Sequence, residues 1–239
     1  MSVFESLSRA TEYLKRHGLA ATLRRAGVSA KHALVDRRMA VYCFDFGKQT
    51  LRDLKVSSSF TVHRIRNEME LSQQDLEILI GHWNPKLARR SISERFAKGA
   101  SLWVVRSENQ LAGYCWTMTG KPIAPYYFPL AADDVQLFDV FVLPKSRGGA
   151  VAWYLIMSVL HALKADGAAR VYADMGEWNR GSLALYDKLT PFRPLGIAQS
   201  FTLFGHKFIT WDESPATQAP QNATQWNQRA LGKAKSQES

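Results

Sequence analysis

Ten residues near the middle of the chain, Pro144-Lys145-Ser146-Arg147-Gly148-Gly149-Ala150-Val151-Ala152-Trp153, join an apolar strand pattern at Leu137 to Leu143 to a long apolar helix pattern. A junction of this composition can hold a phosphate. Small residues let backbone N–H groups approach a ligand closely, and the positive end of the following helix attracts an anion. Lys145 and Arg147 add fixed positive charge, and the cradle is read as Lys145, Ser146, Arg147, Gly148, Gly149, Ala150 and Val151. The competing reading of the same residues is a solvated turn. Just upstream, Asp139 is the one acidic residue in the run Leu137-Phe138-Asp139-Val140-Phe141-Val142. A carboxylate placed there loses water, which raises its pKa toward the range useful for taking up a proton. Alternatively Asp139 caps a bulge or pairs with an arginine such as Arg66, and Glu177 and Asp174 are further candidates for a base.

Two common nucleotide motifs are excluded. The chain has no GxxxxGK[ST], and no GxGxxG followed by an acidic residue at the right distance. What the junction fits is PxxRGxGxA, with Ala150 in a glycine slot, followed by a second patch, Trp178-Asn179-Arg180-Gly181-Ser182-Leu183-Ala184-Leu185-Tyr186-Asp187-Lys188-Leu189. In that order and separation the pair resembles the GNAT superfamily of acyl-CoA-dependent N-acyltransferases, whose second patch reads NxxSxxLYxKLGF.

The resemblance implies acetyl-CoA, or another acyl-CoA, as cosubstrate, with its pyrophosphate on the first patch and no metal. It implies that Tyr186 lies near the coenzyme sulfur as general acid. It also implies that Asn179 and Ser182 help hold the coenzyme, although Asn179 can equally cap the helix that follows. The strand Val140, Phe141, Val142 is expected to run beside the coenzyme, with a backbone N–H between Phe141 and Leu143 meeting the oxyanion. Family members often carry an acidic residue in this strand, which suits Asp139 as the base. An amine attacks a thioester best when neutral, so the reaction needs a base for the ammonium, donors for the oxyanion and an acid for the sulfur. Two departures stand out: Leu189-Thr190-Pro191-Phe192 replaces the family's LGF, and position 145 is lysine where glutamine or arginine is common.

The elements that must position these groups follow from periodicity. Phe60 to Ile65 reads as a strand, Leu71 to Ile80 and Pro85 to Phe96 as helices, and Leu102 to Val105 with Leu111 to Met118 as a hairpin. Lys121 to Leu130 is a loop in which Tyr126, Tyr127 and Phe128 either line an acceptor site or pack. Val135 to Leu143 feeds the cradle, and Ala150 to Ala165, apolar nearly all round, is a helix buried on a sheet. A strand at Val171 to Asp174, a helix at Gly181 to Leu189 and one or two strands within Phe192 to Phe208 complete the order. This is the succession of the GNAT fold, an α/β (α+β) class with a mixed, mostly antiparallel twisted sheet flanked by helices. The domains are expected at 48–211 for the acyltransferase, with a basic helical extension plus a strand at 1–47 and a disordered tail at 212–239.

Composition bounds the function. Of the formal net charge of +10, residues 1–40 carry +5. Residues 3–34 read as two short amphipathic helices with basic polar faces, able to lie peripherally on an anionic membrane surface but equally able to be merely solvated. No run approaches the about 18 apolar residues of a membrane span and no signal core opens the chain, so a cytoplasmic location is expected. Cys43 and Cys115 lie in apolar runs without CxxC spacing, and the histidines have no metal-binding spacing. No nucleic-acid motif is present, and no nucleic-acid partner is expected. The sequence therefore suggests transfer of an acetyl or other short acyl group to a primary amine of a small molecule, an amino sugar among the options. The alternatives are a membrane-surface long-chain N-acyltransferase and a binding module without turnover. An exposed last strand could support a homodimer.

Overall fold

A computed structural model describes residues 38–54, 59–81, 85–120, 127–147, 150–203 and 206–213. The helices expected at 3–34, the tail from 214, Tyr126, and Gly148 and Gly149 of the cradle lie outside the described residues.

Eight strands form one sheet: β1 (Arg38–Asp45), β2 (Phe60–Ile65), β3 (Ser101–Ser107), β4 (Gln110–Thr119), β5 (Asp134–Val142), β6 (Arg170–Gly176), β7 (Arg193–Leu203) and β8 (His206–Glu213). Their order across the sheet is β2-β3-β4-β5-β6-β1-β7-β8. Neighbours are antiparallel except β5 and β6, which are parallel. Parallel neighbours need a crossover, and α3 (Val151–Ala165) supplies it. Its sequence, VAWYLIMSVLHALKA, buries Tyr154, Leu155, Ile156, Val159, Leu160 and Leu163 on one face of the sheet. The short α4 (Arg180–Lys188) lies on that same face, where Tyr186 joins Leu155, Ala173 and Met175 in one core.

The opposite face over β2 to β5 is covered by α1 (Gln73–Gly81) and α2 (Pro85–Ala97), whose Leu76, Leu79 and Ile92 pack on Leu102, Val104 and Trp116. A third cluster on this face, over β6, β1 and β7, joins Val41, Tyr172, Leu195 and Ala198 to Phe128. Strand β4 packs on both sides, and its central residues Leu111 to Met118 are buried without a break rather than in alternation.

One expected boundary moves. The run Met39 to Phe46 was grouped with the N-terminal extension, but Arg38–Asp45 pairs with β6 on one edge and β7 on the other. It therefore belongs to the central sheet. Just after it, Leu51 is buried in the main core. At the far end the last strand continues through Glu213, two residues past the expected domain limit. Among the described residues, no helix is long and apolar enough to cross a membrane.

Two buried carboxylates hold the sheet's polar seams. Asp75 pairs with Arg106. Asp134, 1% exposed, receives Arg170 Nε at 2.7 Å and Nη2 at 3.0 Å, and the Ala131 amide at 2.8 Å. The forked pair ties β5 to β6 where their parallel ladder begins. Removing one member leaves the other charge buried and unpaired. Arg170→Met is expected to destabilise the protein by about 3–5 kcal/mol, read as a lower urea midpoint with an unchanged m-value.

Candidate active site

The site begins where β5 and β6 part. Their parallel register runs from Asp134 opposite Arg170 to Leu137 opposite Ala173 and stops there. Both strands continue, β5 to Val142 against β4 and β6 to Gly176 against β1. The result is a V-shaped opening at the carboxyl ends of two parallel strands, the place where open α/β sheets bind ligands.

A bulge sets one arm of the V. Phe138 faces Trp116 and Phe141 faces Tyr114, so Asp139 and Val140 together stand opposite Cys115 alone. Asp139 adopts φ +49°, a left-handed conformation that aspartate tolerates better than most residues. Across the bulge, a Cβ on Gly113 would sit 2.7 Å from the Phe141 carbonyl oxygen, so the close approach of β4 requires glycine there.

This geometry corrects the reading of Asp139. Its side chain is 42% exposed and ion-paired with Arg95 of α2, not with Arg66. The desolvation that its apolar neighbours suggested is absent, because the bulge turns it out of the strand's alternation. The half-buried carboxylate is Asp174 on β6. Burial pushes its pKa up to about 6, against hydrogen bonds from Gln136 and Tyr127 that lower it, while nearby Asp139 raises it further. The Tyr127 hydroxyl lies 3.4 Å from Asp174 Oδ2. Glu177, the other alternative, is engaged with Arg38 at 2.8 Å.

Tyr186 approaches from the opposite face. It is 2% exposed and packs against the rings of Tyr42 and Phe192, with centroids at 5.4 and 5.0 Å. Burial holds its hydroxyl well above the ordinary phenol range, with Cys115 and Asp174 adding to the shift. Since Ala173 and Met175 share the core with Tyr186, the alternation of β6 puts Asp174 on the other face. The carboxylate and the phenol thus flank the opening from its two sides. The α4 helix that carries Tyr186 is fixed by the Tyr42 hydroxyl, which donates to Asp187 Oδ1 at 2.6 Å. It ends without the family's glycine. Thr190 caps it instead, its hydroxyl donating to the Tyr186 carbonyl at 3.1 Å and its amide to Leu185 at 3.1 Å.

The cradle is assembled differently from the expectation. A short 3-10 turn, Pro144–Ser146, engages the Ser146 amide with Leu143 at 2.8 Å and the Arg147 amide with Pro144 at 3.4 Å. The Leu143 amide, considered for the oxyanion, donates to Ala112 at 2.9 Å. These three donors are spent on the chain itself. What remains is the start of α3. Ala150 has no side-chain cap, and the ladder begins with Tyr154 N–H on the Ala150 carbonyl at 2.8 Å, which leaves the amides of Val151 to Trp153 outside it. Lys145 is exposed beside them, while Arg147 folds back, donating to the Val142 carbonyl at 3.3 Å over the Phe141 ring. Asn179 is the N-cap of α4 and accepts from the Ser182 amide at 3.2 Å. Val140 and Val142 turn toward the α3 face and Phe141 toward α1 and α2.

Several residues of the site were not singled out in the sequence. A pocket between α1, α2 and the sheet is lined by Leu79, Ala88, Ile92, Arg95, Trp116 and Asp139, among others. Ala88, Ile92 and Arg95 recur at i, i+4 and i+7, a spacing that puts all three on the sheet-facing side of α2 and marks Arg95 out from its basic neighbours. Gln136 lies on an apolar strand yet is 6% exposed. Trp178, 60% exposed, lies across Gly176, where a Cβ would come within 2.3 Å of its Nε1. Among the described residues, no group of His, Cys, Asp and Glu could hold a metal ion. Both cysteines are buried, and burial pushes Cys43 up to about 12.

Residues 64–190, more than half of the chain, match the model of the acetyltransferase (GNAT) family. No functionally curated protein matches. Among solved structures, a GNAT-family acetyltransferase from Novosphingobium aromaticivorans DSM 12444 is 17% identical, over 66% of this chain and 59% of that one, with a TM-score of 0.43. A GCN5-related N-acetyltransferase from Kribbella flavida is 12% identical over 83% of this chain and 65% of that one, TM-score 0.46. A chain from Clostridium acetobutylicum, solved with acetyl-CoA, is 13% identical over 53% of this chain and 88% of its own, TM-score 0.38. The protein thus spans less than two thirds of the first two chains.

Proposed function

The chain belongs to the GNAT acetyltransferase family, and from that membership we propose that it transfers an acetyl or other short acyl group from acyl-coenzyme A to a primary amine of a small molecule. The observation that carries this reading is the opening between β5 and β6, with a raised-pKa carboxylate on one face and a buried phenol on the other. The coenzyme thioester supplies an activated acyl group and a thiolate leaving group. The residues present fit it: amides outside the ladder at the start of α3, with exposed Lys145 nearby, suit a diphosphate. The end of the β5–β6 ladder at Leu137 and Ala173 leaves room between the strands for an extended amide-bearing arm.

In this reading the acceptor enters from the α1–α2 face and the coenzyme from the α3–α4 face. Asp174, ionised above about pH 6, takes a proton from the acceptor ammonium. A carboxylate with an ordinary pKa would be a weaker base at neutral pH. Tyr186 stays protonated across the neutral range and donates to the departing sulfur. Asp139, held by Arg95, binds and orients the acceptor.

Isothermal titration with acetyl-CoA tests the reading, and a well-folded sample that shows no binding overturns it. For the wild type, kcat/KM should rise with pH through about 6 as Asp174 loses its proton, then level off. Asp174→Asn should remove that limb and lower kcat/KM by about 100-fold or more. Tyr186→Phe should lower kcat by about 10-fold or more with acetyl-CoA affinity little changed; loss of affinity at normal turnover would show that the hydroxyl binds rather than reacts.

One observation favours a second reading. Arg38 starts β1 at the open end of the V, its carbonyl accepting the Glu177 amide at 3.2 Å and its guanidinium pairing with the Glu177 carboxylate. The residues carrying half of the net positive charge therefore join the domain at the rim of the opening. Under this reading they bring the rim to an anionic membrane surface, and the donor or acceptor is lipid-borne. The full chain should then co-sediment with anionic liposomes while a chain beginning at Arg38 stays in the supernatant. Equal recovery of both in the supernatant removes the idea.

A further inference from the structure

The pocket beside Asp139 narrows the acceptor. Arg95 is its cation, 18% exposed, with the guanidinium over the rings of Trp116 and Phe138 at 5.2 and 5.3 Å. A guanidinium carries five N–H donors in a rigid fork. Among the described residues, the side chain makes one hydrogen bond, to Asp139 Oδ2. Donors therefore remain on a cation already desolvated on its faces by two aromatic rings, a setting in which a second carboxylate binds well.

Arg95 and Asp139 are the two charges that line the pocket, and Asp174 lies outside its lining. Arg95 touches Asp139, and Asp139 lies close enough to Asp174 to act on its ionisation. A polyamine would meet the carboxylates but also the repulsion of Arg95, and it would leave the unused donors unsatisfied. A monoanion would satisfy Arg95 and be repelled by both carboxylates. A zwitterion answers all three groups. Because Arg95 and Asp139 are in direct contact, the two ligand charges that lie across them must be close together, separated by one or two carbons. The pocket's walls at Leu79, Ala88 and Ile92 are apolar and suit a small alkyl group.

Resting on the transferase reading above, we infer that the acceptor is a small α-amino acid, or a close analogue, with its carboxylate on Arg95, its ammonium between Asp139 and Asp174, and a short apolar side chain in the cavity. Arg95 is then the residue that determines acceptor specificity.

The experiment measures thiol release from acetyl-CoA with alanine, alaninamide, ethylamine and glucosamine. Alanine should exceed alaninamide in kcat/KM by about tenfold or more, the worth of one charge-assisted contact. The amide carries the less basic amine, so the comparison is biased against the proposal. Arg95→Gln should erase the preference by raising KM for alanine while leaving acetyl-CoA affinity unchanged, and Arg95→Lys should keep part of it. A second variant guards against misfolding: Ala88→Leu fills the cavity from α2 and should raise KM for alanine more than for glycine. Equal use of alanine and alaninamide, a better rate with glucosamine, or a preference that survives Arg95→Gln overturns the inference. Titration with acetyl-CoA separates the two levels. Binding without an acid-over-amide preference sinks the amino acid alone, whereas no binding sinks the transferase reading with it.

Discussion

The site depends on a ladder that ends early. Two parallel strands, β5 and β6, exchange hydrogen bonds through Leu137 and Ala173 and then diverge, although each runs on for several residues. Unpaired backbone in a protein interior is costly, so strands do not separate without a reason. Here the reason is local to β5. Its bulge places two residues against one on β4, which bends the strand and increases its twist. Asp139 takes the left-handed conformation this demands, and Gly113 supplies the missing side chain that lets β4 follow. Backbone held in sparsely populated conformations is a recurrent mark of functional sites, and here it creates both the opening and the direction in which Asp139 points.

Separation by face follows from the same geometry. With β6 continuing in regular alternation, Ala173 and Met175 meet α3 and α4 while Asp174 meets Gln136 and Tyr127. One carboxylate and one phenol are each pushed toward their protonated forms by burial, but from opposite sides of a single layer. The consequences differ because the starting points differ. A carboxylate raised to about 6 is still largely ionised at neutral pH and has become a better base. A phenol raised from its already high value remains a proton donor throughout the neutral range. The same physical cause, loss of water, thus leaves two groups in complementary protonation states.

Much of this was legible in the residues, and the failures have definite causes. The hairpin, the crossover helix and the helix carrying Tyr186 were readable from the length and spacing of their apolar residues. The opening itself was not, because a ladder that stops is a relation between strands distant in sequence. Asp139 misled because an apolar run implies burial only if the alternation is regular, and a bulge breaks it. Asp174 was only a second choice because its strand, RVYADMG, is short, and the partners Gln136 and Tyr127 that hold it come from elsewhere. Composition pointed to the junction as a cradle, but Ser146 and Arg147 spend their amides on a turn that Pro144 initiates, which shifts the donors outside a ladder to the first turn of α3. Arg95 was detectable from its spacing with Ala88 and Ile92, but it stands among Lys86, Arg89 and Arg90, whose charge suggests only a solvated face.

The N-terminal strand makes the opening possible on its other side. Where β6 loses β5, it keeps β1: Val41 opposite Asp174, Ala40 opposite Met175 and Met39 opposite Gly176. Both arms of the V therefore have one paired edge, β4 for β5 and β1 for β6. Without β1, the Asp174 segment would lose that antiparallel partner as well as its parallel one, and no backbone would hold the carboxylate at its depth. Through Tyr42, the same strand also fixes α4, so it positions the phenol as well as the base. A segment that sequence order sets apart from the catalytic domain is thus the element on which both sides of the candidate chemistry rest.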